Sequence, residues 1–529
     1  MKRFSINISN FSSIRILINL LFAILMLTSS VVFSKSYFIS STGSDANEGT
    51  INSPFLTIPF AITKVVAGDT IFIRGGVYIL NTTIRIQKSG TADARLYLFG
   101  YQNERALLDF SSMSFSSSNR GINLSASYWH IKGLDIKGAG DNGMIISGGS
   151  NNIIEFCSFY ENRDTGLQLA GGASNNQIIN CDSYFNADPS HGNADGFAPK
   201  LDVGSNNYFY GCRAWQNSDD GWDGYMRGAN DVSTIIENSW CFSNGYLKSG
   251  SPSSGNGNGF KMGGSDDKLL MHNMTLKNCL AFDNRVKGYD QNNNRGSMII
   301  HNSSAYRNGT NFSITLAPNP GKVVSLINNA VVGFGVALGT FAEQKTNSWS
   351  MIPAVSENDF ESIDTTGVRG QRKADGSLPD LKFLKLSANS KLIDAGTDVG
   401  LPYVGLAPDL GAFEYQGITN INEEEKLPTE FALYQNYPNP FNPETVISYT
   451  LSSVSTVSLK VYDILGNEVS TLVNQEQQAG IYNVKFTINS LLSPVLGGQA
   501  RSSTLSTGVY FYRLQAGNFV QTKKMIVLK

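Results

Sequence analysis

Four aspartates and one lysine near the middle of the chain could hold a metal ion and transfer a proton. Asp195 lies in the segment NADGF, and Lys261 lies in NGFK. Between them, the segment NSDDGWD contains Asp219, Asp220 and Asp223. Carboxylates that lie close together repel one another unless a cation joins them, and an oxygen-only ligand set without His or Cys suits Ca²⁺. The alternative is a solvated acidic turn, because Asp and Gly are common in turns.

A repeat runs through the same part of the chain. An aromatic residue followed by any residue and Asn recurs every 24 to 40 residues, at Tyr160, Tyr184, Trp215, Phe242, Phe282 and Tyr306. Cys or Ser lies three residues before each aromatic, and Gly followed by a bulky residue lies after most of them. A period near 24 with variable insertions is typical of a right-handed parallel β-helix, in which equivalent residues of successive coils stack. We therefore predict interior ladders of aromatic, Asn and Cys or Ser side chains.

The repeat brings the charged residues to one face of this predicted β-helix. Asp195 and Asp220 each lie one residue before the Gly of a Gly–bulky pair. Asp223 and Lys261 each lie two residues after that Gly, on successive coils. Equivalent positions stack, so the repeat predicts a cluster of four carboxylates and one lysine, with Asp219 beside Asp220.

The composition supports a β-rich protein that does not bind nucleic acid. The 529 residues include 41 Lys and Arg and 43 Asp and Glu, which gives a net charge of −2 and argues against a basic surface that grips phosphates. The 52 glycines indicate many turns, and 41% hydrophobic residues can fill a large core. We predict that the five cysteines are small buried fillers, and disulfides between adjacent coils remain the alternative.

The two ends of the chain differ from the middle. Residues 1–34 combine basic residues, an apolar run and small residues, which is typical of a secretory signal peptide; a transmembrane anchor is the alternative. Residues 417–427 are polar and predict a linker between a β-helix at 35–416 and a second domain at 428–529. Alternating apolar and polar residues in that domain predict an antiparallel β-sandwich. The predicted fold class is therefore all-β, a β-helix solenoid followed by a small sandwich.

Three segments of the second domain resemble the type A sorting domain of the type IX secretion system. They are LYQNYPNPFNP at 433–443, YDILGNEV at 462–469 and STGVYFYRLQAG at 506–517. The resemblance implies that the type IX secretion machinery exports the chain through an outer membrane, and that the domain is then cleaved and the protein attached to the surface or released. A plain carbohydrate-binding or spacer sandwich is the alternative.

The β-helical part resembles polysaccharide lyase family 9, which contains β-helical pectate lyases. The segments NADGFAPK at 193–200, GCRAWQNSDDGWD at 211–223 and GNGFKMGG at 257–264 carry this resemblance, which extends over about residues 37–415. It implies calcium-dependent cleavage of α-1,4-linked polygalacturonate by β-elimination. Carried over by position, it also implies that Lys261 is the catalytic base and that the Ca²⁺ ligands are Asp195, Asp219, Asp220 and Asp223.

Further cations near this face are candidates for binding the carboxylates of an acidic polysaccharide. They are Lys287, Arg285, Arg227 and Lys200. Two other functions remain open at this point: a β-helical polygalacturonase that hydrolyses its substrate with a pair of carboxylates, and a non-catalytic surface β-helix that binds glycans. Because a lysine accepts a proton only when neutral, the lyase hypothesis predicts an alkaline pH optimum. We expect a monomer.

Overall fold

The computed structural model describes residues 34–417 except 103 and 352, and residues 430–527 except 437, 489–490, 493–501 and 504. The chain divides into two compact units, Met1–Gln416 and Gly417–Lys529. The predicted signal peptide and linker lie outside the described residues, apart from residues 34 and 417, and both stay predictions.

The first unit is a parallel β-helix of three sheets, to which each complete coil contributes one short strand per sheet. Sheet 1 has twelve strands: Ser36–Ile39, Thr70–Ile73, Leu96–Gly100, Trp129–Lys132, Ile153–Glu155, Gln177–Ile179, Asn207–Tyr210, Val232–Glu237, His272–Lys277, Met298–His301, Val324–Ile327 and Glu343–Lys345. Sheet 2 has ten: Ile84–Ile86, Ile122–Leu124, Met144–Ser147, Leu167–Ala170, Phe197–Pro199, Trp222–Asp223, Phe260–Lys261, Lys287–Asp290, Thr310–Ile314 and Val336–Leu338. Sheet 3 also has ten: Gly76–Ile79, Ala106–Asp109, Leu134–Lys137, Ser158–Tyr160, Asp182–Tyr184, Arg213–Trp215, Trp240–Phe242, Leu280–Phe282, Ser304–Tyr306 and Ala330–Val332.

One α-helix, Ile58–Lys64, and two 3₁₀ helices, Ser348–Ser350 and Glu357–Asp359, occur among the described residues. Thr57 caps the α-helix, because its side chain accepts a hydrogen bond from the backbone of the first turn. Its apolar side buries residues that belong to the core of the β-helix. In the described part of the chain, no helix has the length and apolar character needed to cross a membrane.

The strand register of sheet 2 follows the repeat found in the sequence. Phe197 pairs with Trp222, Trp222 with Phe260, and Phe260 with Tyr289. Their rings lie one above the other inside the coil, with centroids 4.8, 4.9 and 5.3 Å apart, and all four side chains are fully buried. This continuous apolar stack sets the spacing between coils. It thereby sets the position along the β-helix axis of the polar residues that flank the strands.

Two ladders of asparagines, all buried except Asn308, confirm the predicted Asn stacks. In each, the side-chain amide of one Asn donates to the Oδ1 atom of the Asn on the next coil, as does its backbone N–H. The longer ladder contains Asn162, Asn186, Asn217, Asn244, Asn284 and Asn308. The shorter one contains Asn152, Asn176 and Asn207. These amides can be buried because each finds a partner.

All five cysteines lie among the described residues, and each is free and buried. The thiols of Cys157 and Cys181 point toward backbone carbonyls, including those of Glu155 and Ile179 at 3.4 Å. Burial raises the pKa of both thiols well above the ordinary value, so they stay protonated. The cysteines therefore fill space inside the coils, as predicted.

The predicted interior position of the aromatic ladder was wrong. Tyr184, Trp215, Phe242 and Phe282 do stack, with centroids 4.3, 5.6 and 4.8 Å apart, but they lie on the outer face of sheet 3. Successive residues of a strand point to opposite faces, and here the small residue before each aromatic points inward. Residues 348–415, which we call the cover segment, pack over this ladder, with Phe383 4.6 Å from Phe282.

The second unit is an antiparallel β-sandwich, as predicted. One sheet contains Ala432–Leu433, Glu444–Leu451 and Gly480–Thr487, and the other contains Glu468–Gln477, Ser455–Tyr462, Gly508–Ala516 and Phe519–Val527. A short pair joins Leu491–Leu492 to Ser502–Ser503. Alternate residues of the strands, among them Ile447, Leu459 and Tyr512, are fully buried between the two larger sheets.

Candidate active site

Asp195 and Asp220 lie on adjacent coils, immediately before two strands of sheet 2. The backbone N–H of Asp220 donates to Asp195 Oδ1 at 3.2 Å, and the N–H of Asn258 on the next coil donates to Asp220 Oδ1 at 2.8 Å. The glycine after each aspartate allows this close stacking: a Cβ atom at Gly196 would lie 2.6 Å from the carbonyl oxygen of Gly221. The Asp-Gly pairs in the sequence thus reflect a backbone that passes very near the neighbouring coil.

Three of the aspartates form a group small enough to surround one metal ion. Asp195, Asp219 and Asp220 each offer a carboxylate oxygen, and these oxygens lie within 4.8 Å of one another. All three residues are at most 2% exposed. Asp220 Oδ2 accepts no well-directed hydrogen bond, although it lies 3.0 Å from Lys261 Nζ. A buried set of hard oxygen donors with a free lone pair fits Ca²⁺.

Two lysines contact this group, and Asp223 lies between them. Lys261 Nζ is 3.0 Å from Asp220 Oδ2 and 3.3 Å from Asp223 Oδ1. Lys200 Nζ is 2.6 Å from Asp195 Oδ2 and 3.5 Å from Asp223 Oδ2. Asp223 pairs with Lys261 in the strand register, as the repeat predicts, but its carboxylate lies outside the three-residue group and contacts the two ammonium groups instead.

The carboxylates of the three-residue group hold protons more tightly than ordinary aspartates. Burial, followed by the charge of Asp220, raises the pKa of Asp219 to about 7. Burial also raises the pKa of Asp220, and it raises that of Asp195 well above the ordinary value despite the nearby Lys200. Full ionisation of the three carboxylates is therefore unfavourable on its own, and a bound cation would favour it.

The electrostatics around Lys261 favour its charged form. Burial lowers the pKa of Lys261, but the charges of Asp220 and Asp223 outweigh it and raise the pKa well above the ordinary value. Burial likewise raises the pKa of Asp223, and Lys261 and Lys200 outweigh it in the opposite direction. Lys261 is therefore an ammonium group while these carboxylates have no other counter-ion.

The three other cations predicted to bind substrate differ in their exposure and in their partners. Lys287 Nζ forms an ion pair with Asp290 at 2.8 Å, and a third of its side chain is exposed. Arg227 pairs with Asp266 at 3.0 Å and is largely exposed. Arg285 is turned into the protein, where its guanidinium donates to the carbonyl of Gly255. The next backbone N–H, that of Asn256, donates to Asp219, so Arg285 supports the loop that holds this aspartate.

The sequence pattern did not reveal the position of two neighbours of the acidic cluster. Lys200, predicted to bind substrate, lies inside the acidic cluster and is only 8% exposed. Tyr225 was not predicted at all, yet its ring lies 5.5 Å from Lys261 Nζ. Both lie four residues after the repeat glycine, and Leu201 bridges to Met226 on the next coil. Because residues two and four positions after the glycine share a strand face, extending the repeat would have found them.

Two known protein families match the chain. The model described as "Pel9A-like, right handed beta helix region" matches residues 37–328, more than half of the chain, and the model of a secretion system C-terminal sorting domain matches residues 435–492. The chain therefore belongs to the Pel9A-like family, polysaccharide lyase family 9, and is a polysaccharide lyase with a C-terminal sorting domain. That domain indicates export.

Relatives and solved structures agree with this assignment. Pectate lyase L of Dickeya dadantii is 38% identical over 400 residues, which cover 73% of this chain and 92% of the relative. The crystal structure of pectate lyase Pel9A has a TM-score of 0.67 at 38% identity and covers 74% of this chain and 98% of its own. A rhamnogalacturonan lyase has a TM-score of 0.61 at 28% identity, with 67% and 97% covered.

Proposed function

We propose that this protein is an exported, calcium-dependent pectate lyase that cleaves α-1,4-linked polygalacturonate by β-elimination, with Lys261 as the base. The observation that carries the proposal is the contact of Lys261 with a buried, three-carboxylate group in a chain whose relatives are named pectate lyases. Asp195, Asp219 and Asp220 would hold the Ca²⁺ ion. Asp223, whose carboxylate contacts Lys261 and Lys200 outside this group, stays the fourth proposed ligand.

The chemistry of the substrate determines what the residues must do. Bound Ca²⁺ would neutralise the uronate carboxylate, stabilise the negative charge that develops next to it, and offset the carboxylate charges that hold a proton on Lys261. Lys261 Nζ takes the proton from C5, a double bond forms between C4 and C5, and the bond from C4 to the glycosidic oxygen breaks. The departing oxygen receives a proton from water, and the hydroxide that remains takes the proton from Lys261, so the base is restored and no other reactant is consumed.

Differences in burial support a distinct proposed task for each charged group. The three grouped aspartates are at most 2% exposed, so they face one another rather than a sugar ring. Lys261 is 7% exposed, and its amine lies 5.5 Å from the ring centroid of Tyr225. Lys200 stays paired with Asp195 and compensates part of the negative charge. Lys287 and Arg227 retain the exposure needed to contact further carboxylates of a polymer.

A hydrolase is the weaker candidate for the same site. Inverting glycosidases separate their two carboxyl groups by about 6.5–9.5 Å to admit water, and retaining ones by about 5–5.5 Å. The oxygens of Asp195, Asp219 and Asp220 lie within 4.8 Å of one another and are buried. This arrangement favours a shared cation over an acid and a nucleophile on either side of a sugar. Membership of a lyase family also argues against a β-helix that only binds glycans.

A panel of polymers tests the reaction and the substrate together. Polygalacturonate, methyl-esterified pectin, rhamnogalacturonan and alginate are each incubated with the full chain and Ca²⁺, and unsaturated ends are measured by their ultraviolet absorbance. We expect the highest rate on polygalacturonate. A saturated product would identify a hydrolase, and a higher rate on rhamnogalacturonan would transfer the proposal to the substrate named for the second structural neighbour.

The sorting domain leads to a proposal about location. We propose that the type IX secretion machinery carries the β-helix through an outer membrane, since the matched sorting domain lies at residues 435–492. The enzyme would then meet its polymer at the cell surface or in the medium, as a monomer.

A further inference from the structure

A groove lies away from the acidic cluster, where the cover segment passes the turns between sheets 1 and 3. It encloses about 1040 Å³, and its walls include Phe99 and Phe156 on the coils and residues 369–374 of the cover segment. None of the residues of the acidic cluster lines it. The cluster belongs to sheet 2, so the groove is a separate surface of the same β-helix.

The groove is cationic although the whole chain is slightly negative. Among the described residues that line it, the acids are Glu104 and Asp182, and the bases are Arg105, Lys132, Arg213, Arg369, Arg372 and Lys373. The chain as a whole has a net charge of −2. An excess of positive charge collected in one concave surface attracts an anionic ligand.

Two of these cations form no ion pair in the described part of the chain. Arg213 and Arg372 both pair with Asp182, at 2.8 and 2.6 Å. In contrast, Arg369 and Lys373 form no ion pair within 4.0 Å with any described residue, and both are exposed. The Arg369 guanidinium lies 6.0 Å from the ring centroid of Phe242, and its side chain donates no hydrogen bond to a described residue.

Partly exposed aromatic rings line the same groove. Phe72, Phe99, Phe156 and Tyr184 all contribute to its walls, and none of them is fully buried. Tyr184 is stacked between Tyr160 and Trp215, with ring centroids 5.0 and 4.3 Å away, so the edge of its ring, and not a face, reaches the groove. Aromatic faces pack against the apolar face of a sugar ring, and arginine donates paired hydrogen bonds to a carboxylate. A uronate unit offers both features at once.

We propose that this groove is a second, non-catalytic binding site for a polyuronate chain, with Arg369 and Lys373 contacting its carboxylates. The choice of polymer rests on the proposed function, because the ligand belongs to the same chemical class as the substrate. Binding there would hold the insoluble or long polymer against the enzyme between catalytic events. It would have no effect on a substrate too short to reach both surfaces.

The test separates the groove from the active site by measuring binding without turnover. All proteins carry Lys261→Ala, and titrations with polygalacturonate are done in EDTA, so that calcium-dependent binding at the acidic cluster is suppressed. We expect Arg369→Glu with Lys373→Glu to weaken binding by at least about tenfold, because two charge-assisted contacts are lost. The control, Lys64→Glu with Lys382→Glu, changes the net charge equally at exposed positions outside the groove and should bind like the parent.

Two outcomes would overturn the proposal. One is affinity for polygalacturonate that is the same in the groove variant, the control and the parent. The other is an equal loss of affinity for single-stranded DNA and for polygalacturonate, which would make the groove a general polyanion site. In proteins with Lys261 intact, we also expect a lower kcat/KM on polymer with no change on trigalacturonate. Failure of the proposed function is recognised separately, because the wild-type chain would then form no unsaturated ends from any polymer.

Discussion

Replacing Lys261 with Ala is expected to lower kcat for β-elimination by about 10³-fold, because a positioned base contributes roughly 10²–10⁴. Loss of the amine also leaves Asp220 and Asp223 without their nearest counter-charge. Lys261→Arg is therefore the more informative variant. It keeps a positive charge beside both carboxylates, but a guanidinium does not give up its proton in proteins and cannot act as the base. Both variants should be equally inactive in the ultraviolet assay.

Lys277→Ala is the matched control for these substitutions. Lys277 lies on sheet 1 and pairs with Glu237 at 3.0 Å, away from the acidic cluster. Its loss should leave kcat unchanged, and thermal unfolding should show that all three variants fold. An active Lys261→Arg enzyme would rule out proton abstraction by this residue. A pH–rate profile of the wild-type enzyme that peaks below about 6 would do the same, because a lysine is fully protonated there.

Replacing Asp182 with Ala is expected to lower the free energy of unfolding of the β-helix by about 3–5 kcal/mol, the cost of leaving buried charges unpaired. Asp182 accepts hydrogen bonds from Arg213 at 2.8 and 2.9 Å and from Arg372 at 2.6 and 3.2 Å. Arg213 also donates to Val368 and Gly370 of the cover segment. The substitution would therefore loosen the cover segment over the outer aromatic ladder, and chemical denaturation would measure the loss.

The matched control for Asp182 is an exposed ion pair. Asp283→Ala removes the partner of Arg307, whose side chain is 45% exposed, and should cost less than about 1 kcal/mol. A loss of similar size in both variants would contradict the structural role of Asp182. The pH dependence supplies a second check. Burial raises the pKa of Asp182, but Arg372 and Arg213 outweigh it, so the pKa is lower in the folded state than the ordinary value near 3.9. The stabilisation is complete above that value and is lost as the pH falls through the folded-state pKa.

The repeat predicted those parts of the site that depend on the spacing between coils. Pairing of Asp223 with Lys261, and stacking of Asp195 on Asp220, follow from the position of each residue relative to the repeat glycine. These contacts are predictable because hydrogen bonding between parallel strands aligns equivalent residues on successive coils. The spacing does not determine which way the side chains point. It therefore does not show that three of the carboxylates lie close enough to share one cation, or which cation they would bind.

Other features depend on contacts that the repeat does not contain. The aromatic ladder stacks as predicted. Its side chains can point outward only because the cover segment, which begins more than 100 residues after Trp215, buries them. Arg285 was predicted to bind substrate from its charge and its position near Lys287, and the sequence did not reveal that an inserted loop supplies the carbonyl of Gly255 to its guanidinium. Insertions and covering segments have no period, so their contacts cannot be found by aligning coils.

The central claim is that Ca²⁺ at the buried aspartates enables elimination by this β-helix. The most direct measurement is the rate at which unsaturated ends form from polygalacturonate as free Ca²⁺ is raised from an EDTA-treated start, in the wild-type protein and in Asp220→Asn. We predict no unsaturated ends in EDTA, saturable recovery in the wild type, and recovery in the variant only at much higher Ca²⁺, if at all, because one of the three grouped carboxylates is lost. Full activity in EDTA, or an unchanged calcium dependence in Asp220→Asn, would contradict the claim.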